Sequence, residues 1–169
     1  MITRLNEIGI NGIFLRNIIS MYAKTEYNIK LRGGHLTAIN SNLGLKQGDP
    51  LSSILFNIYI DDIDLIFDES CSPIELQDVR INHSLYADDL SLMSLSRDGL
   101  QKCLDKLSEF AKKKHLKVNI QKSKTMTFTK SGKFLKDTFY LDNTALEAVN
   151  SFCYLGFDVK SSGTVKNIP

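Results

Sequence analysis

The chain has 169 residues, 43% hydrophobic and 24% charged, a balance that supports one folded domain with its own core and excludes wholesale disorder. Its apolar runs fall far short of the roughly 18 residues of a membrane span. Arg4, Glu7 and Arg16 interrupt any apolar leader, and the three widely spaced cysteines, Cys71, Cys103 and Cys153, form no disulfide framework, which fits a reducing intracellular compartment, nucleus or cytoplasm. Net charge is only +2, but residues 49–98 hold eleven acidic groups against two basic ones, and residues 101–136 hold eleven lysines against two acids. Such a pairing of blocks fits a metal site beside a polyanion track, or two solvated faces of opposite sign.

Along the chain, Ile10, Ile13, Phe14 and Ile18 recur at helical spacing and predict a helix over 5–22. Alternation at Tyr27, Ile29 and Leu31, then Gly33-Gly34 and a second short run over 35–39, predicts a β-hairpin. Residues 43–50 end in Asp49-Pro50, the signature of a helix start with Pro in its first turn. The helix it opens, over 51–66, is apolar nearly all round and is expected to be buried. A polar loop is expected over 67–78. Val79, Ile81 and Leu85 then alternate on one strand and Leu90 and Leu92 on another, with Tyr86-Ala87-Asp88-Asp89 between them at a hairpin tip. Ser96 is an N-cap with Asp98 in the first turn, opening a helix that carries Leu100, Cys103, Leu104, Leu107 and Phe110 on one face and runs out in Lys112-Lys113-Lys114. Strands are expected over 125–129, 139–141 and 152–159. This order predicts an α+β fold, an antiparallel sheet with helices packed on one face.

Several chemistries find no residues. Ser131-Gly132-Lys133 lacks the upstream glycine of a phosphate-binding loop, no nucleophile elbow occurs, and His35, His83 and His115 have no neighbour at zinc-ligand spacing. Asp88-Asp89 remains. Adjacent carboxylates repel unless a cation lies between them, and hard divalent metals take carboxylate oxygens. Two such ions about 4 Å apart can activate a hydroxyl and hold a leaving phosphate oxygen. Asp-Asp also makes an ordinary turn.

The flanks make the pattern specific. GLKQGDPLSS (44–53) followed by LFNIYIDDI (55–63) resembles motif B of reverse transcriptases. LYADDLSLMS (85–94) resembles their motif C, the metal-binding turn, LKVNIQKSKTM (116–126) is similar to motif D, and Tyr154-Leu155-Gly156 resembles the primer grip of motif E. GINGIFLRNIISMY (9–22) resembles the helix after motif A in LINE-type, non-LTR retrotransposon enzymes, the jockey-like group included. The motifs follow in family order over nearly the whole chain.

The resemblance implies a polymerase palm and RNA-directed DNA synthesis, with an RNA template, a DNA primer and deoxynucleoside triphosphates as partners and no membrane. Two Mg²⁺ ions, with Mn²⁺ as a substitute, are the implied cofactors. By resemblance Asp88 is a direct metal ligand and Asp89 a second carboxylate. Tyr86 underlies the primer end, Gln47 and Gly48 face template and nucleotide, and Pro50 starts the supporting helix. Lys122 or Lys124 is the motif D lysine that serves the departing pyrophosphate. Tyr154, Leu155 and Gly156 position the primer, and Lys112, Lys113, Lys114, Lys117 and Lys124 track nucleic-acid phosphates.

One departure from the family stands out. Members carry a third catalytic aspartate in motif A, whereas the sole acid of residues 1–20 is Glu7. Residues 1–169 are therefore expected to be a partial domain, palm motifs B to E without motif A, fingers or thumb. The chain alone is expected to be inactive. The alternative is a non-catalytic nucleic-acid-binding remnant of a decayed mobile element.

Overall fold

The computed structural model describes residues 1–23, 25–30, 34, 36–41, 44–46 and 48–167. The fold divides into two compact units, Met1–Asp62 with Leu85–Asp89, and Ile63–Ser84 with Leu90–Pro169.

The first unit opens with α1 (Ile2–Glu7) and α2 (Gly12–Tyr22) instead of the single helix predicted over 5–22. Gly9 sits at φ +88° and Asn11 is extended at φ −141°, so the right-handed spiral cannot run through them. Strands β1 (Thr25–Lys30) and β2 (Leu36–Ser41) form the expected antiparallel hairpin, with Lys30 opposite Leu36. Its Leu31, Arg32, Gly33 and His35 lie outside the described residues.

Helix α3 (Pro50–Ile60) starts where Asp49-Pro50 places it. It ends six residues before the expected position and passes into a 3-10 turn, Asp61–Ile66. Asp61, Asp62 and Asp64 oppose the negative C-terminal end of a helix dipole, and Arg4 draws Asp61 into an ion pair at 2.7 Å. The core of this unit is Leu5, Leu15, Ile18 and Leu55, with Leu45, Leu51 and Ile58 packed against it. The expectation that this helix is buried all round is corrected: α1 and α2 cover the Leu55 side, while Ile54 is 57% exposed.

In the second unit, the expected polar loop over 67–78 carries a 3-10 turn, Glu69–Cys71, and a strand, β3 (Ile74–Leu76), paired antiparallel with β4 (Val79–Ile81). Fully buried Cys71 and the Ile74–Ile81 pair give this segment its structure. The strand predicted through Val79 and Leu85 is two strands, β4 and β5 (His83–Tyr86). The break falls at Asn82, whose carbonyl accepts from the Met93 amide at 2.6 Å. Strand β5 pairs with β6 (Asp89–Leu92).

Helix α4 (Arg97–Lys113) begins as predicted, with the Ser96 hydroxyl accepting from the Gly99 amide at 3.0 Å and Asp98 in the first turn. Its Leu104, Leu107 and Phe110 close the main core with Ile63, Phe139, Leu141 and Leu146. Short strands follow: β7 (Lys124–Thr125), β8 (Tyr140–Leu141), β9 (Thr144–Ala145), β10 (Glu147–Ala148), β11 (Ser151–Tyr154), β12 (Phe157–Lys160) and β13 (Val165–Asn167). The strand expected over 125–129 shrinks to β7. Thr127 and Thr129 give their hydroxyls to the Asp137 carboxylate and the Lys133 carbonyl, and no ladder continues past Thr125. The strand expected over 152–159 is a hairpin, β11 and β12, extended by β13.

The α+β character stands, with mixed helices and small, mainly antiparallel sheets. The single sheet does not: among the described residues the strands form separate sheets of two or three strands, and β7 with β10 is a parallel pair. Left-handed residues at Gln77, Ala87, Asp142-Asn143 and Leu155-Gly156 turn the chain between β3 and β4, β5 and β6, β8 and β9, and β11 and β12. Among the described residues no helix is long and apolar enough to cross a membrane.

Candidate active site

Tyr86 closes β5 and Asp89 opens β6, so Ala87 and Asp88 are the two-residue turn of that hairpin. The aspartates lie at a hairpin tip, as the alternation predicts. Ala87 takes the left-handed conformation at φ +53°, which carries a steric cost of about 1–2 kcal/mol for a residue with a Cβ. Tyr86 is 65% exposed. Both carboxylates are exposed, and neither has a hydrogen-bond or ion-pair partner among the described residues. Two free hard-oxygen donors suit a divalent ion that completes its shell with water and substrate phosphate. Among the described residues no group of three or more His, Cys, Asp or Glu side chains is placed to hold a metal, so the pair fits one such ion and not a two-ion site by itself.

The loop before α3 belongs to the same unit. Asp49 uses both carboxylate oxygens: Oδ1 accepts from the Leu51 amide at 3.0 Å, capping the helix, and Oδ2 accepts from the Tyr22 hydroxyl at 2.8 Å. Tyr22 Oη also lies 3.0 Å from Ser52 Oγ, and the Lys46 ammonium stands 5.5 Å from the centre of the Tyr22 ring. Burial first, and then the Asp49 carboxylate, hold the Tyr22 hydroxyl above the usual phenol range. Gly48 is exposed at φ +86° with nothing within 4 Å of where a Cβ would stand. Pro50 is exposed at the first helical position, and Gln47 lies outside the described residues. Sequence reasoning found Asp49 by its capping pattern and missed Tyr22, because no local signal joins residues 27 positions apart.

The remaining predicted site residues lie in the second unit. Lys112 pairs with Asp142 at 2.5 Å, Lys114 stands 5.4 Å from the centre of the Phe110 ring, and Lys124 pairs with Glu147 at 2.6 Å while donating to the Gln121 carbonyl. Lys113, Lys117 and Lys122 are exposed, with no ion pair among the described residues. Tyr154 ends β11 with its hydroxyl buried and without a hydrogen-bond partner among the described residues. Leu155 at φ +49° and Gly156 at φ +83° form the turn into β12.

The reverse transcriptase (RNA-dependent DNA polymerase) family matches residues 2–159. A retrovirus-related Pol polyprotein from a type-1 retrotransposable element R2 of Bradysia coprophila is 40% identical over 135 residues, 79% of this chain and 15% of that protein. The Pol polyprotein of the type-2 element R2DM of Drosophila melanogaster is 31% identical over 75% of this chain and 13% of that protein, and an R2 polyprotein of Popillia japonica is 27% identical over 96% and 28%. The chain thus spans less than a third of the length of these relatives, and each carries R2 in its name rather than jockey. The family works on a nucleic-acid template with nucleotide substrates and divalent metal ions. By the match over residues 2–159, the chain belongs to the reverse transcriptases, as reverse transcriptase domain sequence of a non-LTR retrotransposon.

Proposed function

We propose that the chain is the motif B-to-E part of the palm of an RNA-directed DNA polymerase that extends a DNA primer on an RNA template inside the cell, in nucleus or cytoplasm. The observation that carries this reading is the exposed Asp88-Asp89 pair at a hairpin turn, within a chain that matches the family over residues 2–159.

Asp88 holds the metal directly and Asp89 adds a second carboxylate. When bound there, Mg²⁺, or Mn²⁺ in its place, would supply positive charge against the phosphates and the attacking oxygen. Gly48, open and left-handed, lets a nucleotide approach the backbone closely. Gln47 joins it by resemblance alone, and Pro50 fixes the start of α3 beneath both. The exposed Tyr86 ring underlies the primer end. Lys122 is the motif D lysine, since its ammonium has no ion pair among the described residues while that of Lys124 is engaged by Glu147. It places positive charge on the departing pyrophosphate. The Tyr154-Leu155-Gly156 turn holds the primer backbone, and Lys113 and Lys117, with the partly engaged Lys112, Lys114 and Lys124, follow the phosphates.

Motif A, with its third aspartate, has no counterpart in residues 1–20. We place it in adjoining sequence and the isolated chain as inactive. The direct test is RNA-templated primer extension by the natural open reading frame that encodes this chain. Extension in Mg²⁺ or Mn²⁺ is expected, and none with either ion would contradict the reading. The lack of a three-ligand cluster among the described residues favours a second reading, a non-catalytic nucleic-acid-binding remnant. It requires salt-sensitive binding that survives Asp88→Ala, with no extension.

A further inference from the structure

Tyr22, at the end of α2, has its hydroxyl tied into the motif B loop. Lys46 and Asp49 are the residues on either side of Gln47-Gly48, and both are engaged by Tyr22. Lys46 lies over its ring at 5.5 Å, and Asp49 accepts a hydrogen bond from its hydroxyl at 2.8 Å. The Asp49 amide also returns to the Lys46 carbonyl at 3.3 Å, closing the loop on itself. On the strength of the polymerase reading, we infer that Tyr22 is a positioning residue for this loop, holding both flanks of Gln47-Gly48 so that the backbone at Gly48 is set for the incoming deoxynucleoside triphosphate.

The two jobs of Asp49 are separable. Its Oδ1 caps α3 through the Leu51 amide, and only Oδ2 reaches Tyr22. Tyr22→Phe therefore leaves the helix cap, the ring and its packing against the Leu5, Leu15, Ile18 and Leu55 core in place, and removes only the bonds to Asp49 and Ser52. Loss of one hydrogen bond to a charged group is about a tenfold effect where that bond orders the binding loop. Nucleotide binding in the ground state, not the chemical step, registers a loosened loop.

Two measurements test the inference. Amide hydrogen exchange on the chain itself should speed up at Gly48 and Asp49 in Tyr22→Phe, with α3 beyond Ser52 unchanged. Unchanged exchange at 48–49, or acceleration throughout α3, would overturn a positioning role. In steady-state extension by the natural open reading frame, Tyr22→Phe should raise the KM for deoxynucleoside triphosphate about tenfold with kcat within twofold. Lys46→Gln should raise it severalfold. An active enzyme whose KM ignores Tyr22→Phe overturns this inference and leaves the polymerase reading standing. No extension by the unmodified protein in Mg²⁺ or Mn²⁺ overturns both.

Discussion

Gly99 lies in the first turn of α4, where a Cβ would stand 2.6 Å from the Cys71 carbonyl oxygen and 2.5 and 2.7 Å from the hydroxyls of Ser94 and Ser72. Helix propensity favours alanine over glycine by about 1 kcal/mol, whereas overpacking costs about 1–3 kcal/mol. The carbonyl is backbone and cannot swing aside, so the clash wins. Gly99→Ala should lower stability by about 1–2 kcal/mol in a denaturant titration; a stabilised variant would contradict this packing. The cysteines divide just as sharply. Cys71 and Cys103 are fully buried, while Cys153 is exposed. Burial, followed by the neighbouring Cys71, pushes the Cys103 thiol up to about 12, so it carries almost no reactive thiolate at neutral pH. A thiol reagent should label one cysteine in the native chain and three in denaturant. Rapid native labelling of two or more would contradict the burial.

Between elements, Asp68 connects the Glu69–Cys71 turn to α4. It caps the turn by accepting from the Ser70 amide at 2.9 Å, and it receives Lys106 of α4 at 2.5 Å. The Lys106 bond first, and then those from Ser70, lower its carboxyl to about 2. A carboxylate whose folded pKa lies below its unfolded value stabilises fully above the unfolded value of about 3.9. That contribution is lost as pH falls from about 4 through 2. Asp68→Asn should therefore flatten the decline of the unfolding midpoint between pH 4 and pH 2, and an unchanged acid limb would contradict the assignment. Elements of this kind were legible where their signal is local. The Asp49 and Ser96 caps and the pairing of β1 with β2 each depend on residues close in sequence. The break in the first helix was also written in Gly9 and Gly12, but the apolar period on both sides masked it. The left-handed turns at Ala87 and Leu155 were not legible, because neither residue type favours that conformation.

On the scale of the whole molecule, the charge blocks overstate the free charge. Lys106, Lys112 and Lys124 meet Asp68, Asp142 and Glu147 in ion pairs, so part of the lysine block is neutralised within its own unit. Which lysine meets which acid is decided by folding across 23 to 38 positions, which composition cannot register. The Asp88-Asp89 turn was legible because both carboxylates and their bracketing strands are contiguous. Tyr22 was not, because its partners come from another segment of the unit. We propose that Asp88 serves polymerase chemistry and not the fold. Asp88 is exposed and has no side-chain partner among the described residues, so its replacement should not disturb folding, whereas loss of a metal ligand removes transition-state stabilisation that is largely electrostatic. The measurement that tests this most directly is RNA-templated primer extension by the natural open reading frame carrying Asp88→Ala, with thermal unfolding of the same preparation. Extension should fall by about a thousandfold or more, with the unfolding midpoint unchanged. Extension at the unmodified rate, or loss of activity only with loss of folding, would contradict it.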